Sequence, residues 1–349
     1  MKQPRVHIVL LNWNGWKDTL ECLESLYRQD YLNFQVIVCD NDSKDGSVEK
    51  IKDWAEGSQF APEATVSAMR GYSSPAIRKP IPYVELTRDQ AESSKIADPC
   101  LPLVIINNGE NLGFAGGNNT GLRYALNQQT DFCWLLNNDT VVEADALSKM
   151  VAHSVALADK GIKNTCGSIQ CFYDDPNVVQ AIGGFSFNRL TAVSSDTFGR
   201  YMKRAELKTV DHDAYRQRLD AIHGCSWLLP RDFLTEIGLM EERYFLYFEE
   251  IDWTTRSRGQ YTLTYAEDAF IYHKEGQSIG SKSIQKKGSL LSEFYCNYNK
   301  FTYAKKFTPW AIPTVFAYTL LQAANHLRKR EPEKAWMQIK VAFGKRTYT

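Results

Sequence analysis

The chain has 349 residues, with 41 lysines and arginines against 41 aspartates and glutamates, for a formal net charge of zero. That length allows one large domain with additions, and the balanced charge argues against a broad basic surface for nucleic acid. Its eight cysteines lie scattered without a Cys-x-x-Cys pair, which speaks against zinc or a disulfide framework and for a reducing cytoplasm, and Met1–Arg5 carries no signal-peptide pattern.

Val6–Leu11 is an apolar, strand-like run that stops at Asn12-Trp13-Asn14-Gly15. Leu20, Leu23 and Leu26 then recur at helical spacing, with Asp18 and Thr19 near the start as capping candidates. Phe34–Cys39 reads as a second strand and ends in Asp40-Asn41-Asp42. Strand, helix, strand with ligand-type residues at both strand ends is a nucleotide-binding βαβ unit. Asp40 is placed to accept hydrogen bonds from a base or ribose, while Asp42–Ser47 reads as an Asx turn capping a helix from near Ser47. Neither Gly-x-Gly-x-x-Gly nor Gly-x-x-x-x-Gly-Lys follows the first strand, which argues against a dehydrogenase and a P-loop enzyme.

Residues 57–103, rich in proline, serine and charge, look inserted. Within them Tyr83–Leu86 reads as a short strand, and Val104–Ile106 follows as a core strand. Asn111–Gly121 surrounds Phe114 with glycines and asparagines and opens a helical pattern of Leu122, Ala125 and Leu126. Two readings stand: a diphosphate cradle at a helix amino terminus, or a plain helix-entry loop. Phe132–Leu136 is an apolar run cut off by Asn137-Asn138-Asp139. A carboxylate with amide neighbours at a strand end suits a hard cation that bridges phosphates; the same residues also suit an Asx turn. Residues 185–220 are polar with little periodicity, read as an acceptor-side flap or a solvated excursion.

Tyr244–Trp253 sets Glu249, Glu250 and Asp252 in an aromatic frame. Such a frame raises a carboxylate's pKa, as a general base requires; the alternative is a solvated helix start. Ala269–Tyr272 is a further apolar run, ending at His273. From Leu290 onward aromatics alternate with lysines, and Trp310–Ala324 is mostly apolar, with Pro313 inside it and Arg328, Lys329 and Arg330 behind it. The run is too short to span a bilayer. It reads either as a helix lying in a membrane interface or as one packed on the domain or on a second subunit of a homodimer.

In this order the segments resemble glycosyltransferase family 2 of the GT-A fold, nearest its bacterial rhamnosyltransferase-like branch, over about residues 5–280. The resemblance implies an α/β fold with a Rossmann-like nucleotide-binding half and a central, mostly parallel sheet, as a domain over 1–285 followed by a helical segment over 286–349. It assigns Asn12, Asn14, Asp40, Asn111, Gly113, Gly116, Asn118 and Asn138 to the nucleotide, and Asp139 with His273 to Mg2+ or Mn2+. Asn137 stands where the family carries the first acid of Asp-x-Asp. Glu250 becomes the general base, and Glu249 and Trp227, the latter in the His223–Trp227 stretch, border the acceptor. The implied activity is inverting, metal-dependent transfer from a nucleoside diphosphate sugar, with dTDP-rhamnose the family's suggestion. The acceptor would be a glycan or lipid-linked molecule in bacterial surface polysaccharide synthesis, at the inner face of the cytoplasmic membrane. Two alternatives remain: a sugar nucleotidyltransferase, for which Asn12–Gly15 lacks a basic triphosphate loop, and a silent glycan-binding protein on the same fold.

Overall fold

The computed structural model describes residues 3–93, 101–274 and 289–348. Its first half alternates strands and helices. β1 (Val6–Asn12) leads through α1 (Trp16–Leu26) to β2 (Phe34–Asp40) and α2 (Ser47–Glu56). β3 (Tyr83–Thr87) and β4 (Leu103–Asn107) follow, then α3 (Gly113–Asn127), β5 (Phe132–Asn137), β6 (Thr140–Val142) and α4 (Ala146–Ala158). β3, β4, β2, β1 and β5 lie side by side in that order, all parallel. Parallel strands joined by helices are buried on both faces, so they read as continuous apolar runs. In β1, Val6, Ile8 and Leu10 enter one core and Val9 the other; in β4, Leu103 and Ile105 oppose Val104 and Ile106. Leu20 and Leu23 of α1 are fully buried in the first core, each worth about 1.5–3 kcal/mol.

The second half extends this sheet with mixed pairing. β7 (Asn164–Phe172), β8 (Val179–Ile182), β12 (Ser226–Pro230) and β13 (Thr262–His273) complete it in the order β5-β12-β7-β13-β6, with β8 also on β7. β9 (Gly184–Asn188), β10 (Val193–Thr197) and β11 (Ala221–Ile222) form a separate three-stranded antiparallel sheet. Residues 185–220 therefore carry regular strands. Phe185 and Phe187 alternate with Ser186 and bury against Tyr303, Phe248 and Val315. The pairing of β9 with β11 needs Gly184, because a Cβ there would run into the Ala221 carbonyl.

The stretch 57–103 is only partly loop. β3 adds an edge strand to the main sheet, and its foot is tied down at Glu24 of α1. That buried carboxylate accepts from Lys79 Nζ at 2.7 Å, Trp54 Nε1 at 2.9 Å and the Ile77 amide at 2.9 Å. Residues 94–100 lie outside the described residues.

α5 (Glu249–Ser257) precedes β13, and α6 (Leu290–Phe307), α7 (Ile312–Arg328) and α8 (Pro332–Ala342) end the chain. Pro313 does not interrupt α7: it sits in the first turn, where its missing N–H would have had no helical partner anyway. α6 is fastened to the segment before α5, since Asn299 Nδ2 donates to the Leu246 and Tyr247 carbonyls at 2.9 Å each. The expected boundary at 285/286 lies outside the described residues. Among them, no helix is long and apolar enough to cross a membrane.

Candidate active site

The carboxyl ends of β1, β2 and β5 lie level, because Asn12 pairs with Asp40 and Leu11 with Asn137. Polar residues that follow these strands therefore gather at one edge of the sheet, where open α/β sheets bind ligands. A cavity of about 420 Å3 opens there, lined among others by Trp13, Asn41, Asn111, Gly113, Asn138, Asp139, Glu249, Glu250 and His273.

Five of the expected nucleotide contacts are not on that wall: Asn12, Asn14, Asp40, Gly116 and Asn118. Asn12 and Asp40 are buried and hold each other, with Asn12 Nδ2 donating to Asp40 Oδ2 at 2.6 Å. Asn12 Oδ1 also accepts from Thr19 Oγ1 at 2.8 Å, and Asp40 Oδ1 from the Ser43 amide at 2.9 Å. Exposed Asn14, with φ of 51°, accepts from the Lys44 amide at 2.7 Å and so ties two loops together. Asn118 turns back onto the Phe114 carbonyl at 3.0 Å. Gly116 lies against the Leu112 side chain, where a Cβ would come to 2.8 Å. Leu11, Trp13 and Asn41 stand on the wall instead.

Gly113 does what the sequence suggested, for a different neighbour. Its φ is 71°, and a Cβ would collide with the Phe245 carbonyl. That carbonyl accepts from the Phe114 amide at 2.8 Å, which pins the aromatic loop before α5 to the start of α3. Asn111 Oδ1 accepts from the Gly113 amide at 3.0 Å, and Asn41 Nδ2 donates to the Gly113 carbonyl at 3.0 Å.

β6 pairs antiparallel with β13, with Thr140 opposite His273. This register brings Asp139 to His273, 134 positions away in sequence, with Asp139 Oδ1 at 3.2 Å from His273 Nε2. Burial works to raise the Asp139 pKa, but the His273 charge and hydrogen bond, aided by Lys274, leave it below the usual value. The Lys274 amide donates to the Asp139 carbonyl at 3.0 Å, and Lys274 Nζ is held by Asp18 and Glu21 at 2.6 Å each. Asn138 reaches the cavity, yet its Nδ2 is engaged by Thr19 Oγ1 at 2.9 Å. Among the described residues no cluster of three or more metal-capable His, Cys, Asp or Glu side chains forms. One carboxylate and one imidazole still fit a hard cation that takes its other ligands from substrate phosphates and water. Bonds of about 2.1 Å meeting at right angles set neighbouring ligands about 3.0 Å apart, close to the separation seen.

Glu249 and Glu250 open α5 after two non-glycine residues with left-handed backbone, Tyr247 at φ 66° and Phe248 at φ 78°. Such strain persists only where surroundings fix it, here through Asn299 on the Leu246 and Tyr247 carbonyls. Glu250 Oε1 accepts from the Gly224 amide at 3.1 Å, and a Cβ on Gly224 would press to 2.8 Å from that oxygen. Burial raises the pKa of Glu250; burial and then the Glu250 charge raise that of Glu249 well above the carboxylate range. Glu249 Oε2 is buried without a hydrogen-bond partner. The solvated-helix-start reading thus fails for Glu249, while Glu250 is half-buried. His223 lies against Phe185 with ring centroids 4.9 Å apart. Burial, then the charges of His273 and Arg200, push its pKa down to about 3, so it is neutral in ordinary buffers.

Trp227 does not reach the cavity. Strand alternation in β12 turns it into the core, fully buried, with its ring 5.3 Å from that of Trp253. The wall gains instead Gln170, Gln180, Arg200, Leu291 and Tyr295, none singled out from sequence. A lone polar residue inside an apolar strand, as with Gln180 in β8, was the available signal. Tyr295 stacks on Phe245 at 5.1 Å, so α6 forms one side of the cavity.

Residues 7–66 and 87–218 match the model of glycosyl transferase family 2, leaving 67–86 of the inserted stretch unmatched. A curated relative, the Low-salt glycan biosynthesis hexosyltransferase Agl10 of Haloferax volcanii, is 25% identical over 181 residues, 49% of this chain and 52% of that protein. The chain thus spans about half the length of this relative. Among solved structures, GalNAc-T7 with UDP, GalNAc and Mn2+ superposes with a TM-score of 0.55 at 11% identity, over 98% of this chain and 56% of that one. The mannosyltransferase PcManGT from Pyrobaculum calidifontis, solved with GDP-Man and Mn2+, gives a TM-score of 0.47 at 15% identity, over 98% and 85%. The fold is that of the GT-A glycosyltransferases, a mixed α/β architecture around a large, mostly parallel sheet.

Proposed function

This chain belongs to glycosyl transferase family 2, and on that premise we propose that it transfers the sugar of a nucleoside diphosphate sugar to a glycan or lipid-linked acceptor, with inversion. The observation that carries this reading is that Glu250 and the Asp139–His273 pair face one cavity. An acceptor hydroxyl attacking the anomeric carbon must lose its proton, and a half-buried carboxylate with a raised pKa is suited to take it. The Gly224 amide fixes Glu250 Oε1 and leaves the other oxygen for the proton of the proposed acceptor. Asn111 and Gly113, on the wall at the start of α3, would receive the donor. Asp139 and His273 would hold Mg2+ or Mn2+, which when bound neutralises charge on the diphosphate leaving group.

The test is a thermal-shift panel of UDP-, GDP- and dTDP-sugars, dTDP-rhamnose included, with and without Mg2+ or Mn2+. A bound ligand raises the melting temperature by mass action. One donor should stabilise the protein, and only with metal present; a panel without any metal-dependent shift would defeat the reading. We further place the enzyme on the inner face of the cytoplasmic membrane, on the strength of the exposed apolar residues of α7 and α8.

A further inference from the structure

Arg200 stands on the wall of the cavity that Asp139, His273 and Glu250 share, and a turn brings it there. The turn lies along β8. The Ile182 amide donates to the Phe198 carbonyl and the Tyr201 amide to the Val179 carbonyl, each at 2.9 Å. The Met202 amide closes it on the Gly199 carbonyl, also at 2.9 Å. Arg200 is flanked by two residues with left-handed backbone, Gly199 and Tyr201, both at φ 69°. A Cβ on Gly199 would come to 2.5 Å from Ile182 Cδ1. Tyr201 is not a glycine, and such a conformation persists only where the surroundings impose it. Its ring stacks on that of Phe172 with centroids 5.7 Å apart, and the Arg200 guanidinium carbon lies 5.3 Å from the Tyr201 centroid and 5.5 Å from the Phe172 centroid. Phe172 ends β7 opposite His273 of β13. Strand register and a fixed turn thus hold a guanidinium on the His273 side of the cavity.

A guanidinium is charged at any ordinary pH, stacks on aromatic rings and presents a planar fork that matches two oxygens of a phosphate. Held on two rings, it gives up less freedom when it binds than a loose side chain would. Departure of the sugar leaves a diphosphate with more negative charge than one divalent cation cancels, and a fixed cation aimed at that charge lowers the barrier. We propose that Arg200 is a phosphate-binding residue of this cavity, its fork taking the oxygens of a substrate phosphate. The inference rests on the nucleoside diphosphate reading above. Two phosphates have this chemistry: the diphosphate of the donor and the phosphate of a lipid-linked acceptor. The register that sets Phe172 opposite His273 favours the first.

Calorimetry on the full chain in saturating Mn2+ tests this, with UDP, GDP and dTDP each set against its own nucleoside. Wild type should prefer the diphosphate that binds best over its nucleoside. In Arg200→Gln that preference should shrink about 10- to 100-fold, the worth of a charge-assisted bond, with nucleoside affinity and melting temperature unaltered. Arg200→Lys keeps the charge but not the fork and should recover part of the preference. A second arm titrates farnesyl phosphate into protein saturated with the nucleoside diphosphate. If Arg200→Gln weakens this ligand by the same factor and leaves the diphosphate preference intact, the phosphate recognised is the acceptor's. Two results overturn the proposal: Arg200→Gln affinities for both phosphates equal to wild type, or a loss of nucleoside affinity in step with the diphosphate, which would make Arg200 a prop of the wall. A wild-type protein that binds none of the three diphosphates overturns the donor reading instead, and the farnesyl phosphate arm then decides for or against Arg200 by itself.

Discussion

Glu250 has one oxygen committed to the Gly224 amide, a bond that favours the ionised form which the proposed general base needs. Glu249, nearly fully buried and pushed further up by the Glu250 charge, is expected to stay protonated when Glu250 ionises. Glu250→Gln keeps shape and removes basicity, so turnover should fall about a hundredfold or more, as for other general bases, with donor affinity unchanged by calorimetry. An active Glu250→Gln beside a dead Glu249→Gln would reverse the assignment. The pH profile follows in sign. A base must be ionised, and burial raises its pKa, so kcat/KM should rise with pH along a limb displaced above the ordinary carboxylate range. At Asp139 the expected loss is of another kind. Asp139→Ala should leave the metal-free melting temperature within a few degrees of wild type and erase the gain in nucleotide affinity that Mn2+ confers. Calorimetry with unchanged affinity in saturating Mn2+ would remove Asp139 from the metal seat.

At the level of elements, the inserted stretch stays attached through Glu24, whose side chain is fully buried against a Lys79 side chain that is only 7% exposed. Burial works to raise the Glu24 pKa, but Lys79, the Ile77 amide, Trp54 and Arg28 together hold it below the usual value. Glu24→Ala leaves a buried ammonium uncompensated and should cost about 3–5 kcal/mol, read from urea midpoints. The sign of its pH dependence follows from the depressed pKa. The stabilisation is present above the unfolded carboxylate pKa and is lost as pH falls through the folded one, so the gap between wild type and Glu24→Ala should narrow in acid. The elements of the first half were legible in sequence because parallel strands buried on both faces write themselves as apolar runs cut off by polar residues. Asp139, His273 and the glutamate pair were legible for the same reason, each lying at an element's end. The other side of the cavity was not. Gln180, Arg200 and Tyr295 arrive through pairing of distant strands and the docking of α6, which no local period reports. Trp227 misled because its loop borders the cavity while strand alternation turns its own side chain inward. Asn12 and Asp40 lie at the expected strand ends, but their side chains close on each other.

For the molecule as a whole, the open question of chemistry is how a lipid-linked acceptor would reach Glu250, and α7 and α8 bear on it. α7 buries Val315, Thr319 and Ala323 and turns Pro313, Thr314, Ala317, Leu321 and Ala324 outward, ending at Arg328, Lys329 and Arg330. α8 presents Trp336, Lys340 and Phe343 at helical spacing. Leu321, Trp336 and Phe343 are 68%, 62% and 73% exposed, a high apolar exposure for a protein with zero net charge. With 17 residues, α7 is about 25 Å long at 1.5 Å per residue, short of the hydrocarbon thickness and suited to lying in the interface. Each basic residue beside anionic head groups adds about 1 kcal/mol, an attraction that salt screens. The full chain should therefore float with anionic vesicles and be partly released by salt. The triple variant Leu321→Ser, Trp336→Ser, Phe343→Ser, which touches only exposed positions, should stay at the bottom of the gradient while its melting temperature holds. Were the surface instead the contact of a homodimer, sedimentation would give a two-chain mass for wild type and a one-chain mass for the triple variant, with neither protein floating. That outcome would assign the aromatic stripe to a second copy of the chain and leave the acceptor to be delivered from solution.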